Sequence, residues 1–178
     1  RGLSEYKKLI KEALKDEAAQ YIMMFDDDII DFPKNFDVKM INAMNEFKDI
    51  GYLSLDVIQN EKTNGAKPTP DNYTKITKNG ITIEYGPAGA WTSIVRTKDL
   101  KKIMFFMNFF EFSMKRSHDT VISFFSRKIL RKKTGILFDE KCLHATGPYY
   151  AKKYGSLEQD IEKYNKVGLN ELRDIYAS

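Results

Sequence analysis

Short apolar runs and helical spacings alternate along the chain. Apolar residues three or four positions apart share one helix face and predict helices, at residues 4–19, 38–47, 98–110, 119–133 and in a polar tail from 156. Short continuous runs predict strands, and the first of them is typical of a strand buried on both faces of a parallel sheet; they lie at 21–25, 51–58, 81–85, 90–96 and 135–142. The alternation predicts a single α/β domain with a mostly parallel central sheet flanked by helices.

Residues that favour helix starts and loops divide the chain further. Ser4 is a candidate cap of the first helix, and Pro33 suits the start of the second. Residues 61–80 carry two prolines and two glycines among polar residues and predict a long functional or mobile loop. The main domain is predicted to span residues 1–150, and residues 151–178 form a helical tail.

Composition adds few restrictions. The 178 residues are 42% hydrophobic, enough for one core, and the formal net charge of +4 permits anionic partners without requiring them. The single Cys142 cannot form an internal disulfide, which favours a reducing compartment and a buried thiol. No run approaches the roughly 20 apolar residues of a membrane span. We expect a cytoplasmic protein, with peripheral contact to the cytoplasmic face of a membrane as the alternative.

Three carboxylates follow the first predicted strand, in YIMMFDDDII at residues 21–30. Side chains alternate along an extended backbone, so Asp26 and Asp28 point to one side and Asp27 to the other. Two neighbouring carboxylates disfavour joint ionisation unless a cation lies between them, and oxygen ligands suit Mg²⁺ or Mn²⁺. The alternative is that the three acids cap the next helix or face solvent.

The chain resembles a known family at this point. YIMMFDDDII followed by DFP resembles the Asp-x-Asp signature of A-type glycosyltransferases, in particular the inverting family 2. Four further segments are similar to that family's elements in the same order and bring the resemblance to most of residues 1–146: GLSEYKKLIKEAL, GPAGAWTSIVRTKDL, SHDTVISFFSRKILRKKTGI and CLHATG. The resemblance implies a fold of the nucleotide-diphospho-sugar transferase type.

The resemblance also implies an activity. It would be hexosyltransferase-like transfer of a sugar, with inversion, from a UDP- or GDP-linked donor to an acceptor hydroxyl, with Mn²⁺ or Mg²⁺ as cofactor. A glycan, a lipid-linked sugar, a protein and a modified nucleic acid all stay open as acceptors. Other metal-dependent phosphoryl or nucleotidyl transfer, and a non-catalytic sugar-nucleotide-binding module, are the alternative functions.

The donor and metal roles implied by the resemblance fall on five residues. Asp28 would ligate the metal, and Asp26 would contact the metal, the ribose or the sugar. His144 would complete the metal or diphosphate site, although a histidine at a strand end can equally be an ordinary polar residue. Asp27 and Lys7 would contribute to nucleotide-sugar binding.

The acceptor roles fall on a second group. Asp119 would be the general base that takes the proton from the acceptor hydroxyl. Its alternative is a capping role at a helix start, which Ser117 could fill instead. Trp91 would stack on a sugar or fill the core, and Gly89 and His118 would border the acceptor.

The chain departs from the family pattern in two places. His118 stands where a glutamate is usual, so acceptor binding is expected to differ. The family's first strand-helix-strand, which binds the nucleotide, precedes the helix with which this numbering begins. We therefore expect either that this segment is absent from the numbered chain or that the protein works without it.

Overall fold

A computed structural model describes residues 3–60, 63, 67, 70–109, 118–168 and 170–178. Within these residues the chain forms one α/β domain of seven strands and seven α-helices. The strands are β1 Tyr21–Phe25, β2 Ile29–Asp31, β3 Ile50–Val57, β4 Thr74–Lys78, β5 Ile81–Tyr85, β6 Thr92–Arg96 and β7 Lys133–His144. The helices are α1 Leu3–Ala13, α2 Phe36–Glu46, α3 Thr97–Phe109, α4 His118–Lys128, α5 Pro148–Tyr154, α6 Leu157–Val167 and α7 Asn170–Ala177.

The sheet is mixed, so the prediction of a mostly parallel sheet is wrong. Its strand order is β1-β6-β3-β7-β5-β4, with β2 paired to β7 outside this path. Only β3 and β7 pair in parallel among the described strands, and the other pairs are antiparallel. A continuous apolar run indicates burial on both faces, but burial leaves the direction of the neighbouring strand undetermined.

One strand lies within the segment predicted as a long loop. Strand β4 pairs with β5 through a two-residue turn at Asn79 and Gly80, whose φ angles are 47° and 76°. Positive φ at both turn positions is typical of the tight hairpin turn that Asn-Gly favours. The polar excursion therefore ends at residue 73, before a hairpin.

Two helices are shorter than predicted. Helix α1 ends at Ala13, and the Asp16 carboxylate beyond it accepts a hydrogen bond from the Ala18 amide, which offers the backbone an alternative to helix. Helix α4 ends at Lys128 because Arg131 adopts a φ of 53° and the chain then enters β7. Ser4 lies inside α1 and is not its cap.

The core has two layers, one on each face of the sheet. Alternate residues of β3 serve both, since Leu53 and Leu55 pack in the layer that α2 covers, whereas Tyr52 packs with α1, α3 and α4. All three are fully buried. Coverage on both faces explains why β3 is buried along its whole length.

The sheet topology brings three strand ends together at one edge of the sheet, the edge that runs across the strands where β1 and β7 end and β6 begins. Phe25 at the end of β1 lies opposite Thr92 at the start of β6, and β7 ends at His144 beside β2, where Ile29 and His144 are partners. The acidic run after β1, the glycine-containing loop before β6 and the end of β7 therefore meet. This edge is the one where open α/β sheets usually bind ligands.

Candidate functional site

Backbone hydrogen bonds fix the acidic segment on both sides. The Asp26 amide donates to the Trp91 carbonyl at 3.0 Å, which ties the end of β1 to the loop before β6. The Asp28 carbonyl accepts from the Ala145 amide at 2.9 Å, which ties the same segment to the end of β7. The carboxylates of Asp26 and Asp28 thus belong to a braced loop.

Asp26, Asp28 and His144 form a compact cluster. His144 Nε2 lies 2.9 Å from Asp28 Oδ1 and 4.0 Å from Asp26 Oδ2. One side-chain ligand atom from each residue lies within 4.8 Å of the others. His144 is buried, with 9% of the residue exposed, while Asp28 is exposed and Asp26 half-buried. Asp27 is exposed and stands outside the cluster.

The two carboxylates of the cluster differ electrostatically. Burial raises the pKa of Asp26, and the negative charges of Asp28, Asp119 and Asp27 raise it further, against a lowering by His144. Burial also acts to raise the pKa of Asp28, but the hydrogen bond and charge of His144 outweigh it and lower that pKa. Negative charge has therefore accumulated around Asp26, which is an arrangement that a cation would stabilise.

The cluster has the ligand chemistry of a divalent-metal site. Two carboxylates suit Mg²⁺ and Mn²⁺, and an imidazole favours a first-row transition ion, so Mn²⁺ is the ion that both ligand types accept. The Nδ1 atom of His144 is buried without a hydrogen-bond partner in the described part of the chain. The imidazole is thus oriented by its Nε2 contact with the carboxylates, which is the contact that an ion would take over.

Asp119 lies in the first turn of α4, and its charge reaches the cluster. Its Oδ1 accepts a hydrogen bond from the Thr120 amide at 2.7 Å, as a carboxylate at a helix start commonly does. The Asp119 and Asp26 charges both raise the pKa of the Tyr6 hydroxyl, which burial chiefly brings to about 12. The Asp119 carboxylate therefore both accepts a hydrogen bond at the start of α4 and acts electrostatically on the cluster.

Trp91 both fills the core and borders the cluster. Its Nε1 donates to the Leu55 carbonyl at 2.9 Å, and its ring centroid lies 6.3 Å from that of His144. Gly89 is required beside it, since a Cβ there would lie 1.8 Å from the Trp91 ring. The Gly89 carbonyl also accepts hydrogen bonds from Tyr52 and Ser54.

Two cavities flank this edge of the sheet. The larger, of about 1020 Å³, is lined by Trp91, Gly89 and Asp119, together with residues of α4 and α7. The three cluster residues do not line it, but Trp91 lines it and also lies beside His144, so the cavity and the cluster are neighbours. The smaller, of about 410 Å³, lies between α1 and β1 and includes Asp26 and Asp27. Asp26 thus lines the smaller cavity and Asp119 the larger.

The remaining predicted site residues have less direct positions. Lys7 Nζ donates to the Met107 carbonyl at 2.7 Å, so its ammonium group joins α1 to α3. His118 begins α4, but its side chain, like all of Ser117, lies outside the described residues. Cys142 is buried and donates to the Asp56 carbonyl at 3.4 Å, which confirms the buried thiol.

Sequence reasoning missed two features. Tyr6 lines the smaller cavity together with Asp26, and only the close spacing of α1 and β1 along the chain could have suggested it. The second is a buried ion cluster in which Lys67 Nζ lies 2.9 Å from Asp56 and 2.6 Å from Glu84. No spacing in the sequence indicates that these three residues meet.

No protein-family model matches the chain, and no curated protein is significantly similar to it in sequence. Among the described residues, none of the helices combines the length and the apolar character that crossing a membrane requires. The site is therefore interpreted from its own geometry.

Proposed function

We propose that the chain is a metal-dependent inverting glycosyltransferase that moves a sugar from a nucleotide-sugar to an acceptor hydroxyl. The observation that carries the proposal is the cluster of Asp26, Asp28 and His144 at the ligand-binding edge of the sheet, with the Asp119 carboxylate close enough to raise the pKa of Asp26. A metal site next to a separate carboxylate supplies the two functions that this transfer needs.

The donor side of the reaction is assigned to the cluster. Asp26, Asp28 and His144 would hold Mn²⁺ or Mg²⁺, and the bound ion would neutralise the charge that develops on the departing diphosphate. The smaller cavity begins at Asp26 and Asp27 and continues between apolar side chains of α1 and β1. This cavity suits the nucleotide part of the donor, because apolar walls with a few polar groups are typical of such sites.

The acceptor side is assigned to Asp119 and the larger cavity. Asp119 would take the proton of the acceptor hydroxyl as its oxygen bonds to the anomeric carbon and the bond from that carbon to the diphosphate oxygen breaks. Attack opposite the leaving group inverts the configuration at the anomeric carbon. Trp91 and Gly89 line the same cavity as Asp119, so an acceptor sugar can contact all three residues.

Nucleotide release tests the activity directly. The chain is incubated with Mn²⁺ and each of several UDP- and GDP-linked sugars, with and without pooled glycan acceptors, and free UDP or GDP is quantified. We expect release from one donor, faster with an acceptor and lost on chelation of the metal. The variant Asp119→Asn should bind nucleotide and metal as the wild type does but should not transfer. Transfer by that variant would remove Asp119 as the base.

A further inference from the structure

Polar side chains form a row along the face of α4 that lines the larger cavity. Asp119, Ser123 and Arg127 are four residues apart, and all three line it. Residues four apart lie on the same side of a helix, so the carboxylate, the hydroxyl and the guanidinium group follow one another along the wall. Eight residues at about 1.5 Å each place the Cα atoms of Asp119 and Arg127 about 12 Å apart along the helix axis.

Arg127 supplies the positive charge in this cavity that no carboxylate compensates. Its Nε donates to the Ser123 carbonyl at 3.4 Å, and across the described ranges its guanidinium group makes no ion pair. The other two cations of the wall are already paired, Lys132 with Asp99 and Lys133 with Asp49. The terminal nitrogens of Arg127 therefore offer two parallel donors, which match a phosphate or carboxylate group.

The hydroxyl in the middle of the row lacks a partner. Ser123 Oγ is buried and makes no hydrogen bond to any described group. Its burial keeps this oxygen from direct contact with a ligand in the cavity, so recognition falls to the two charged groups at the ends of the row. Glu171 of α7 also lines the cavity. Its charge disfavours an anion near α7, which leaves the Arg127 end of α4 as the place for one.

We propose that the acceptor is an anionic saccharide that lies along α4, with its reacting hydroxyl at Asp119 and an oxyanion group at Arg127. This inference rests on the proposed function, because it takes Asp119 as the base. Asp119 and Arg127 are two helical turns apart, so the oxyanion group lies on a different part of the acceptor from the reacting hydroxyl. Either a phosphate or a carboxylate satisfies the guanidinium group.

Binding of defined disaccharides tests the proposal without turnover. Lactose, lactose 1-phosphate and a glucosyl-glucuronate disaccharide are titrated into the full chain by calorimetry. We expect both anionic sugars to bind at least about tenfold more tightly than lactose, as one charge-assisted contact predicts. The tighter of the two anionic sugars identifies phosphate or carboxylate as the natural group.

Two variants make the test specific. Arg127→Gln should bring the anionic sugars to the affinity of lactose. Lys128→Gln removes the same charge from the neighbouring residue of α4, which is exposed like Arg127 but does not line the cavity, and should leave the preference intact. Equal binding of anionic and neutral sugars by the wild type, or equal effects of the two variants, would overturn the proposal.

Failure of this inference differs from failure of the proposed function. Metal-dependent UDP or GDP binding reports on the cluster of Asp26, Asp28 and His144 and does not involve Arg127. If the nucleotide binds with Mn²⁺ but the anionic sugars show no preference, the transferase assignment stands and the acceptor assignment is wrong. If neither the nucleotide nor any anionic sugar is bound, both are wrong.

Discussion

His144 Nε2 lies 2.9 Å from Asp28 Oδ1, although the two residues are 116 positions apart in the chain. The contact joins the loop after β1 to the end of β7. Replacing His144 by Ala or Asp28 by Asn should weaken Mn²⁺ binding by more than about tenfold, because each change removes a ligand and its orienting partner. Competition against a fluorescent Mn²⁺ chelator measures the affinity.

A neighbouring acid provides the control for that measurement. Asp31 is exposed in β2, its side chain accepts a hydrogen bond from the Phe32 amide, and it is not one of the cluster's ligands. Asp31→Asn removes one negative charge and should leave Mn²⁺ affinity within about twofold, the range of long-range surface electrostatics. Equal losses in Asp28→Asn and Asp31→Asn would mean that the effect is general charge and not ligation.

Asp119→Asn separates chemistry from binding. The amide keeps the size of the carboxylate but cannot accept the acceptor proton, so transfer should fall by at least about a hundredfold. Asp119 is not one of the cluster's ligands and acts on Asp26 only through its charge, so Mn²⁺ affinity in the variant should change only slightly. Product formation under saturating donor gives the first quantity, and metal titration gives the second.

Gly89→Ala should displace Trp91. The added Cβ would lie 1.8 Å from the ring, so the ring or the loop must move. We expect the free energy of unfolding to fall by about 1–3 kcal/mol, the usual cost of overpacking. Trp91 is the single tryptophan in the chain, so its emission should shift to longer wavelength as its exposure increases. An unchanged emission maximum together with unchanged stability would contradict this account of the loop.

Lys67→Met tests the buried ion cluster that lies apart from the site. The change leaves the Asp56 and Glu84 carboxylates buried, with only the more exposed Lys75 3.5 Å from Glu84. Removing one member of a buried pair costs about 3–5 kcal/mol, and urea unfolding measures it. Lys75→Met, at an exposed position, should cost less than about 1 kcal/mol. Neutralising both acids as well, with Asp56→Asn and Glu84→Gln, should restore much of the loss.

Asp49 should add a small acid-sensitive contribution to stability. Burial alone would raise its pKa, but hydrogen bonds from Lys133 and Tyr85 outweigh it and bring the pKa below 3.8. A lowered folded-state pKa stabilises the protein above the unfolded value, and this contribution is lost as the pH falls through the folded value.

The Asp49→Asn variant isolates that contribution. Because the side chain is 45% exposed, the effect should not exceed about 1 kcal/mol. The difference in unfolding free energy between the wild type and Asp49→Asn should be fully present at pH 6 and shrink as the pH falls below about 4, the ordinary value for an unfolded aspartate. A difference that stays constant over this range would rule out the linkage.

Local signals made part of the fold predictable. The apolar run of β1 followed by Asp26, Asp27 and Asp28 marks a strand end whichever way its neighbours run. The Asn-Gly pair between β4 and β5 is also a hairpin signal that can be recognised in the sequence, but the surrounding prolines and polar residues favoured a loop. Strand direction could not be predicted, because β6 and β7 pair with β3 in opposite directions and no local pattern in either strand specifies its direction.

The candidate site was predictable only as a set of residue types. The prediction placed Asp26 and Asp28 together through the alternation of an extended strand; in the structure the two residues are close, but β1 ends at Phe25 and a turn at residues 27 and 28 brings them together. The approach of His144 depends on the pairing of β2 with β7, which is a tertiary contact. The position of Trp91 beside both the cluster and the larger cavity likewise depends on a tertiary contact, its hydrogen bond to the Leu55 carbonyl of β3.

Calorimetric titration with UDP and with GDP, each with and without Mn²⁺, tests the central assignment most directly. If Asp26, Asp28 and His144 hold the metal at which a nucleotide-sugar binds, one of the two nucleotides binds with Mn²⁺, fails to bind without it, and loses affinity in Asp28→Asn. Binding that is indifferent to Mn²⁺, or no binding of either nucleotide by the folded chain in its presence, would contradict a metal-dependent glycosyltransferase site at this edge of the sheet.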